Sequence, residues 1–162
     1  MRFFDLAEAC RYVKNLLERS YTIVCVGTYL RSDDRAALDL CEKLGAAGLP
    51  VISCEYGLEN CVHEIAEKKA RKIAIVDAAY TSEFAKGLLV ISIEELENID
   101  VPLATLSTHA IPMQTTLGFL SSLLGRVDVE ILGIPVKNLD IGLELSPEVR
   151  DVVEALASCV KD

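Results

Sequence analysis

Asp33, Asp34, Asp77 and His109 carry side chains suited to metal-assisted chemistry. The two adjacent aspartates sit in a polar stretch after an apolar run at 22–27, and Asp77 ends another apolar run at 72–76. His109 lies in Ser107-Thr108-His109-Ala110-Ile111-Pro112, a polar loop just ahead of a helical pattern. One carboxylate from the pair, Asp34, together with Asp77 and His109, makes a workable ligand set for a borderline divalent ion. Two carboxylates and an imidazole balance its charge and leave coordination positions open for a substrate. The same residues have ordinary uses. Asp33 or Asp34 can cap a helix, Asp77 can cap the next turn and His109 can cap or pack, and spacing alone leans toward these uses.

The elements that must position these residues follow from hydrophobic periodicity. Phe3, Leu6, Cys10, Val13 and Leu17 recur at helical spacing, which predicts an amphipathic helix over about 3–18. Residues 22–26 read as a buried strand ending at Gly27, and Ala37, Leu38, Cys41 and Leu44 give the next helix its apolar stripe. A strand at 50–54, a short helix at 60–69 and a strand at 72–76 that delivers Asp77 at its tip follow. Strand, helix, strand, helix, strand is the order of parallel crossover units. Residues 88–93 form a further strand with no clear helix before it, which predicts an antiparallel strand at an edge. A helix at 112–124, a half-exposed strand at 127–131 and a helix capped by Ser146 and started by Pro147 complete the chain. The predicted fold is α/β, a three-layer α/β/α sandwich around a mostly parallel sheet of about five strands. Ligands of such folds collect beyond the carboxyl ends of the parallel strands, the rim where Asp34 and Asp77 belong.

The 162 residues make one domain, 1–162, without a repeat or a linker. At this length a chain buries roughly 70% of its unfolded surface, so neither disulfides nor a structural metal is needed to hold it. The net charge is -9, and the acidic excess lies beyond residue 49. No basic patch appears, which argues against nucleic acid as a partner. Apolar runs are far shorter than the ~20 residues that cross a bilayer, and residues 1–20 lack a secretion signal's apolar segment. Six widely spaced cysteines in apolar patterns read as reduced thiols of a cytoplasmic protein. Gly27 stands alone where a phosphate-binding loop needs three glycines, so no nucleotide is expected.

The series Val26-Gly27-Thr28-Tyr29-Leu30-Arg31-Ser32-Asp33-Asp34 resembles the G-N-x-L-x-x-D-D-G signature of the [NiFe] hydrogenase maturation endopeptidases. Gly57-Leu58-Glu59-Asn60 is similar to that family's G-x-x-P-E-N turn, Ile75-Val76-Asp77-Ala78 to its V-D-A strand end, and Ser107 to Pro112 to its S-T-H-x-x-P. Ile131-Leu132-Gly133-Ile134 and Leu145-Ser146-Pro147-Glu148-Val149 follow its L-I-G-I-Q and L-S-P-E-V. The likeness spans about 22–160, leaving the N-terminal helix as an addition. It implies an endopeptidase, acting as a monomer, that removes a C-terminal extension from the precursor of a hydrogenase large subunit after nickel insertion. It also implies that Asp34, Asp77 and His109 form the catalytic, metal-recognising site and grasp nickel presented by the precursor. Thr28, Arg35 and Leu58 depart from the family's Asn, Gly and Pro. Arg35 matters most, since a guanidinium beside Asp34 either pairs with it or points outward.

Arg35 motivates an alternative, a non-catalytic or retargeted relative that binds only a metal or a partner protein. A receiver-like signalling domain is a further alternative, because it too has an acidic pair after one strand and an aspartate at the end of another. Its pair should abut the strand, whereas five residues separate Gly27 from Asp33. Cys54, Cys61 and His63 lack a fourth ligand for a zinc site, and Glu55 and Glu59 are candidates for lining a substrate groove.

Overall fold

The computed structural model describes residues 1–97 and 112–162, so His109 lies outside the described residues. Among the described residues six strands form one sheet: β1 (Arg2–Asp5), β2 (Thr22–Gly27), β3 (Val51–Glu55), β4 (Lys72–Tyr80), β5 (Gly87–Ile91) and β6 (Asp128–Val136). Their spatial order is β1-β5-β6-β4-β2-β3. The pairs β3 with β2, β2 with β4 and β4 with β6 are parallel, and β5 runs antiparallel to both of its neighbours. The α/β/α sandwich is therefore as expected, including its antiparallel strand. One strand more than expected is present, and it changes which strand lies at the edge.

Alternation along the strands divides the core into two layers. Cys25 of β2, with Ala74, Val76 and Ala78 of β4, faces α1 (Leu6–Glu18), α2 (Ala36–Ala46) and the C-terminal helix. Val24 and Val26 of β2, with Ile73, Ile75 and Ala79 of β4, face the opposite layer, which contains α3 (Val62–Glu67) and α4 (Met113–Leu124). The C-terminal helix, α5 (Pro147–Lys161), buries Val149, Val152, Val153, Leu156 and Val160, the stripe its sequence spacing predicts. Among the described residues, no helix is long and apolar enough to cross a membrane.

The predicted N-terminal helix begins later than its periodicity implies. Residues Arg2–Asp5 form β1, pairing antiparallel with Gly87 to Val90. Asp5 then caps α1, its carboxylate accepting the Glu8 amide at 2.9 Å. The buried stripe of α1 is Ala9, Val13 and Leu16, and Phe3 is an exposed strand residue and not the first turn of a helix. At Gly87 any Cβ would strike the Phe4 carbonyl, which is why a side chain is missing where β1 docks.

The cysteines also differ from expectation. Three disulfides join Cys10 to Cys159, Cys25 to Cys41 and Cys54 to Cys61. Cys10 on α1 meets Cys159 on α5, and Cys25 on β2 meets Cys41 on the helix above it. Cys54 at the end of β3 meets Cys61 in the next turn. Their Cα atoms are 6.2, 6.0 and 5.7 Å apart, normal spans for a bridge. The apolar settings that read as buried thiols are the settings that bring the sulfurs together. Free thiols thus no longer argue for a reducing compartment.

Candidate active site

The order β3-β2-β4 places the topological switch point of the parallel sheet between β2 and β4. The crossover after β2 leads outward to β3, and the one after β3 returns across β2 to β4. Loops diverge above such a point and leave a crevice. The ladder between β2 and β4 ends at Cys25 and Val76, so Asp77 is the first β4 residue past it. Asp77 is not the tip of its strand, as its sequence suggested. β4 continues to Tyr80 against β6, pairing Asp77 with Gly133. Its fully buried carboxylate accepts the Ala78 amide at 2.8 Å, and by alternation it faces the α3 and α4 layer.

The loop after β2 folds back on its own strand. A 3₁₀ turn at Ser32–Arg35 leads into α2 and packs against β4. The Thr28 amide donates to the Asp34 carbonyl at 3.2 Å, and that carbonyl fills the place where a Cβ of residue 27 would sit. Only glycine permits this approach, so Gly27 seats Asp34 over the end of β2. Ser32 takes a left-handed φ of 52°. Its amide donates to the Gly142 carbonyl at 2.9 Å and its hydroxyl to the Asp140 carbonyl at 2.8 Å, which holds the turn in place.

The two neighbouring aspartates have opposite surroundings. Asp33 is fully buried and accepts four hydrogen bonds: the Lys137 and Asn138 amides at 2.9 Å each, the Ser146 amide at 2.6 Å and the Ser146 hydroxyl at 2.8 Å. It ties the loop after β2 to the loop after β6 and to the start of α5. Ser146, expected to cap α5 with its hydroxyl, instead donates that hydroxyl to Asp33. Asp34 is 4% exposed, and its buried Oδ1 has no hydrogen-bond partner among the described residues. Burial pushes its carboxyl up to about 6, with Arg31 pulling the other way. An unpaired buried carboxylate is unfavourable, and a cation is the partner that would relieve it.

Arg35 leaves Asp34 alone. Its guanidinium grips Asp39 one turn along α2, at 2.9 and 3.0 Å, and donates to the Leu143 carbonyl at 2.7 Å. The outward alternative is the one realised, and the observation that favoured a binding-only relative is gone. The receiver-like reading also fails, because Asp33, which it requires as a cation ligand, is occupied by its four donors. Cys54 and Cys61 are joined to each other, and exposed His63 pairs with Glu67 at 3.1 Å, so they build no zinc site.

Above Gly27, the residues Thr28, Leu30, Arg31, Asp34, Tyr56 and Ile141 line a hollow of about 340 Å³. Asp77 borders the same crevice from β4 but does not line this hollow. Among the described residues no three His, Cys, Asp or Glu side chains gather as a metal-binding group. The structure thus places Asp34 and Asp77 at one switch point, with the third predicted ligand, His109, outside the described residues. Glu55 and Glu59 do not line the hollow. The carboxylate of Glu59 lies instead over Gly57, where a Cβ would collide with it. Leu30, Tyr56 and Ile141 were not singled out from sequence. Their only signal was apolar character inside loops at the carboxyl rim. A second hollow, of about 400 Å³ between α2 and α5, is lined by Arg35, Asp39, Arg150 and Glu154 among others and touches none of the predicted ligands.

The family model of the HycI hydrogenase maturation protease matches residues 56–162, a stretch that contains Asp77 and the position of His109 and begins after Asp34. No curated protein matches the chain. Several solved structures are similar. The [NiFe] hydrogenase maturation protease HycI from Thermococcus kodakarensis KOD1 superposes with a TM-score of 0.71 at 18% identity, over 93% of this chain and 99% of that one. HybD from Thermococcus kodakarensis gives 0.68 at 24%, over 85% and 95%. The endopeptidase HycI from Escherichia coli gives 0.66 at 24%, over 85% and 86%. At such identities the superpositions establish the fold, including the part before residue 56 where Asp34 lies. The family match extends over well more than half of the sequence, so the chain belongs to the hydrogenase maturation protease family and is an endopeptidase of that type.

Proposed function

We propose that this protein removes a C-terminal extension from the nickel-loaded precursor of a [NiFe] hydrogenase large subunit. In this reading the metal arrives with the substrate. Asp34, Asp77 and His109 grasp the precursor's nickel, and the grasp places the adjacent peptide bond for attack by water. The carbonyl carbon gains the hydroxyl, and the departing amine takes the proton. The nickel supplies positive charge, either polarising the carbonyl or activating the water. Cleavage then serves as a check that the metal is in place.

The observation that carries this reading is the buried Oδ1 of Asp34, which has no hydrogen-bond partner among the described residues and belongs to a residue lining an open hollow on the switch-point rim. A purely structural aspartate has donors around it, as Asp33 next door shows. The test is a processing assay with the cognate nickel-loaded precursor, read by mass. Loss of the C-terminal extension with the unaltered protein, and at least a hundredfold slower loss with Asp77→Ala or His109→Ala, is expected. Unchanged cleavage by both variants, or none by the unaltered protein while control proteases act, rejects the proposal.

A further inference from the structure

The hollow beside Asp34 has walls that metal capture does not explain. Leu30 and Tyr56 are each 52% exposed and Ile141 is 94% exposed, yet all three surround one cavity. Scattered apolar residues on a surface are ordinary, whereas a cluster around a cleft marks a binding place. Their backbones are pinned. The Leu30 amide donates to the Thr28 hydroxyl at 3.3 Å and its carbonyl accepts the Gly142 amide at 3.0 Å. Ile141 is held by its neighbour Gly142, which bridges to Arg31. The Tyr56 amide donates to the Gly27 carbonyl at 2.7 Å, and the residue keeps a left-handed φ of 74°. Rigid backbones that present apolar side chains to solvent are what preorganised recognition uses.

The polar groups of the wall are largely committed. The Thr28 hydroxyl accepts from Leu30, and the Arg31 Nε donates to the Leu139 carbonyl at 3.1 Å. What remains beside Asp34 and the Arg31 guanidinium is an apolar rim of Leu30, Tyr56 and Ile141. At about 340 Å³ the space sits near the lower end of the ~300–1,000 Å³ usual for ligand clefts. It takes one or two side chains.

We propose that this hollow is a specificity subsite that receives an apolar side chain of the precursor close to the cleaved bond, with Leu30, Tyr56 and Ile141 setting the preference. The inference rests on the peptidase reading above. An acidic side chain there would be desolvated among Leu30, Tyr56 and Ile141 and lose the apolar contacts of the rim.

The chain has no tryptophan, so Tyr56→Trp adds a single indole to the subsite wall. Two measurements on the full-length protein are paired. The first follows cleavage of the nickel-loaded precursor, and of precursors in which each apolar residue within four positions of the cleaved bond is changed to Asp. The second follows indole fluorescence of Tyr56→Trp with a synthetic peptide of the precursor that spans the cleaved bond. One precursor position should show a drop of about tenfold or more in kcat/KM on change to Asp. Ile141→Asp should raise KM for the native precursor about tenfold with kcat within threefold. Ile141→Lys should restore part of the rate on that Asp precursor, which a merely structural role would not produce. Normal cleavage with KM moved less than twofold by Ile141→Asp overturns the subsite and leaves the peptidase reading intact. An indole shift saturating with the native peptide and lost with its Asp version, without cleavage, overturns the peptidase reading and leaves the hollow as a binding place for the apolar side chain only. Neither cleavage nor a shift overturns both.

Discussion

Asp33 and Asp34 are adjacent in sequence and opposite in their surroundings. Removing the carboxylate of Asp33 strands three part-buried amide donors and a hydroxyl. Asp33→Ala should therefore cost about 3 kcal/mol or more in urea unfolding, with an unchanged midpoint contradicting its role as a tie between loops. Asp34→Asn should do the reverse. The folded carboxyl sits at about 6 against an ordinary 3.8, so between those values the folded protein binds more protons than the unfolded one. Stability contributed by this group consequently falls as pH rises through that window and stays low above it. Asn carries no charge, so the variant should be more stable than the parent at pH 8 by on the order of 1–3 kcal/mol, with the difference vanishing near pH 4, while cleavage is lost. Equal stability of the two proteins at pH 8 would show that the burial of Asp34 is not penalised. Arg35, seated on Asp39 and the Leu143 carbonyl, should be replaceable by Ala at a cost of about 1 kcal/mol, with cleavage rates kept within threefold. A hundredfold loss would mean that it acts at the site after all.

At the scale of elements, the strand and helix sequence from β2 to β4 was legible because each piece is long enough to show its period and is bounded by turn residues. β1 was not. Four residues are too few to separate a period of two from one of 3.6, and Phe3, Leu6 and Cys10 happen to fit the longer one. What makes Arg2–Asp5 a strand is the open edge of β5 and the missing side chain at Gly87, some eighty residues away. Asp77 was placed at a strand tip because its motif ends there, but β6 runs far enough to keep β4 paired through Tyr80. The acidic pair itself was legible, whereas the division of labour within it was not, since the donors to Asp33 come from residues 137, 138 and 146. The turn that seats Asp34 depends on Gly27. Gly27→Ala drives a methyl into the Asp34 carbonyl and should cost about 1–3 kcal/mol. Cleavage should fall further than that loss of folded protein explains, because the carboxyl is displaced from the strand end. A variant that unfolds at the parent's urea concentration would contradict the close approach.

Across the whole molecule, three disulfides staple elements that the sheet already brings together. Cys10 and Cys159 close a loop of nearly the whole chain, at a sequence separation of 149. Pairings at such range are products of topology and cannot be read from spacing, which is why reduced thiols were the sequence-level expectation. Protein denatured without reductant should show no free thiol, and Cys159→Ala should lower stability by about 2–4 kcal/mol in oxidising buffer and by little in reducing buffer. Detection of six thiols would restore the first reading. In the proposed function the two carboxylates at the β2/β4 switch point answer to a metal borne by another protein. The most direct measurement compares nickel-loaded and nickel-free precursor side by side, with the shortened product counted by mass. Only the loaded precursor should be cut, and Asp34→Asn should abolish the cut. Equal shortening of both precursors, or an undiminished rate with Asp34→Asn, would contradict the proposed function.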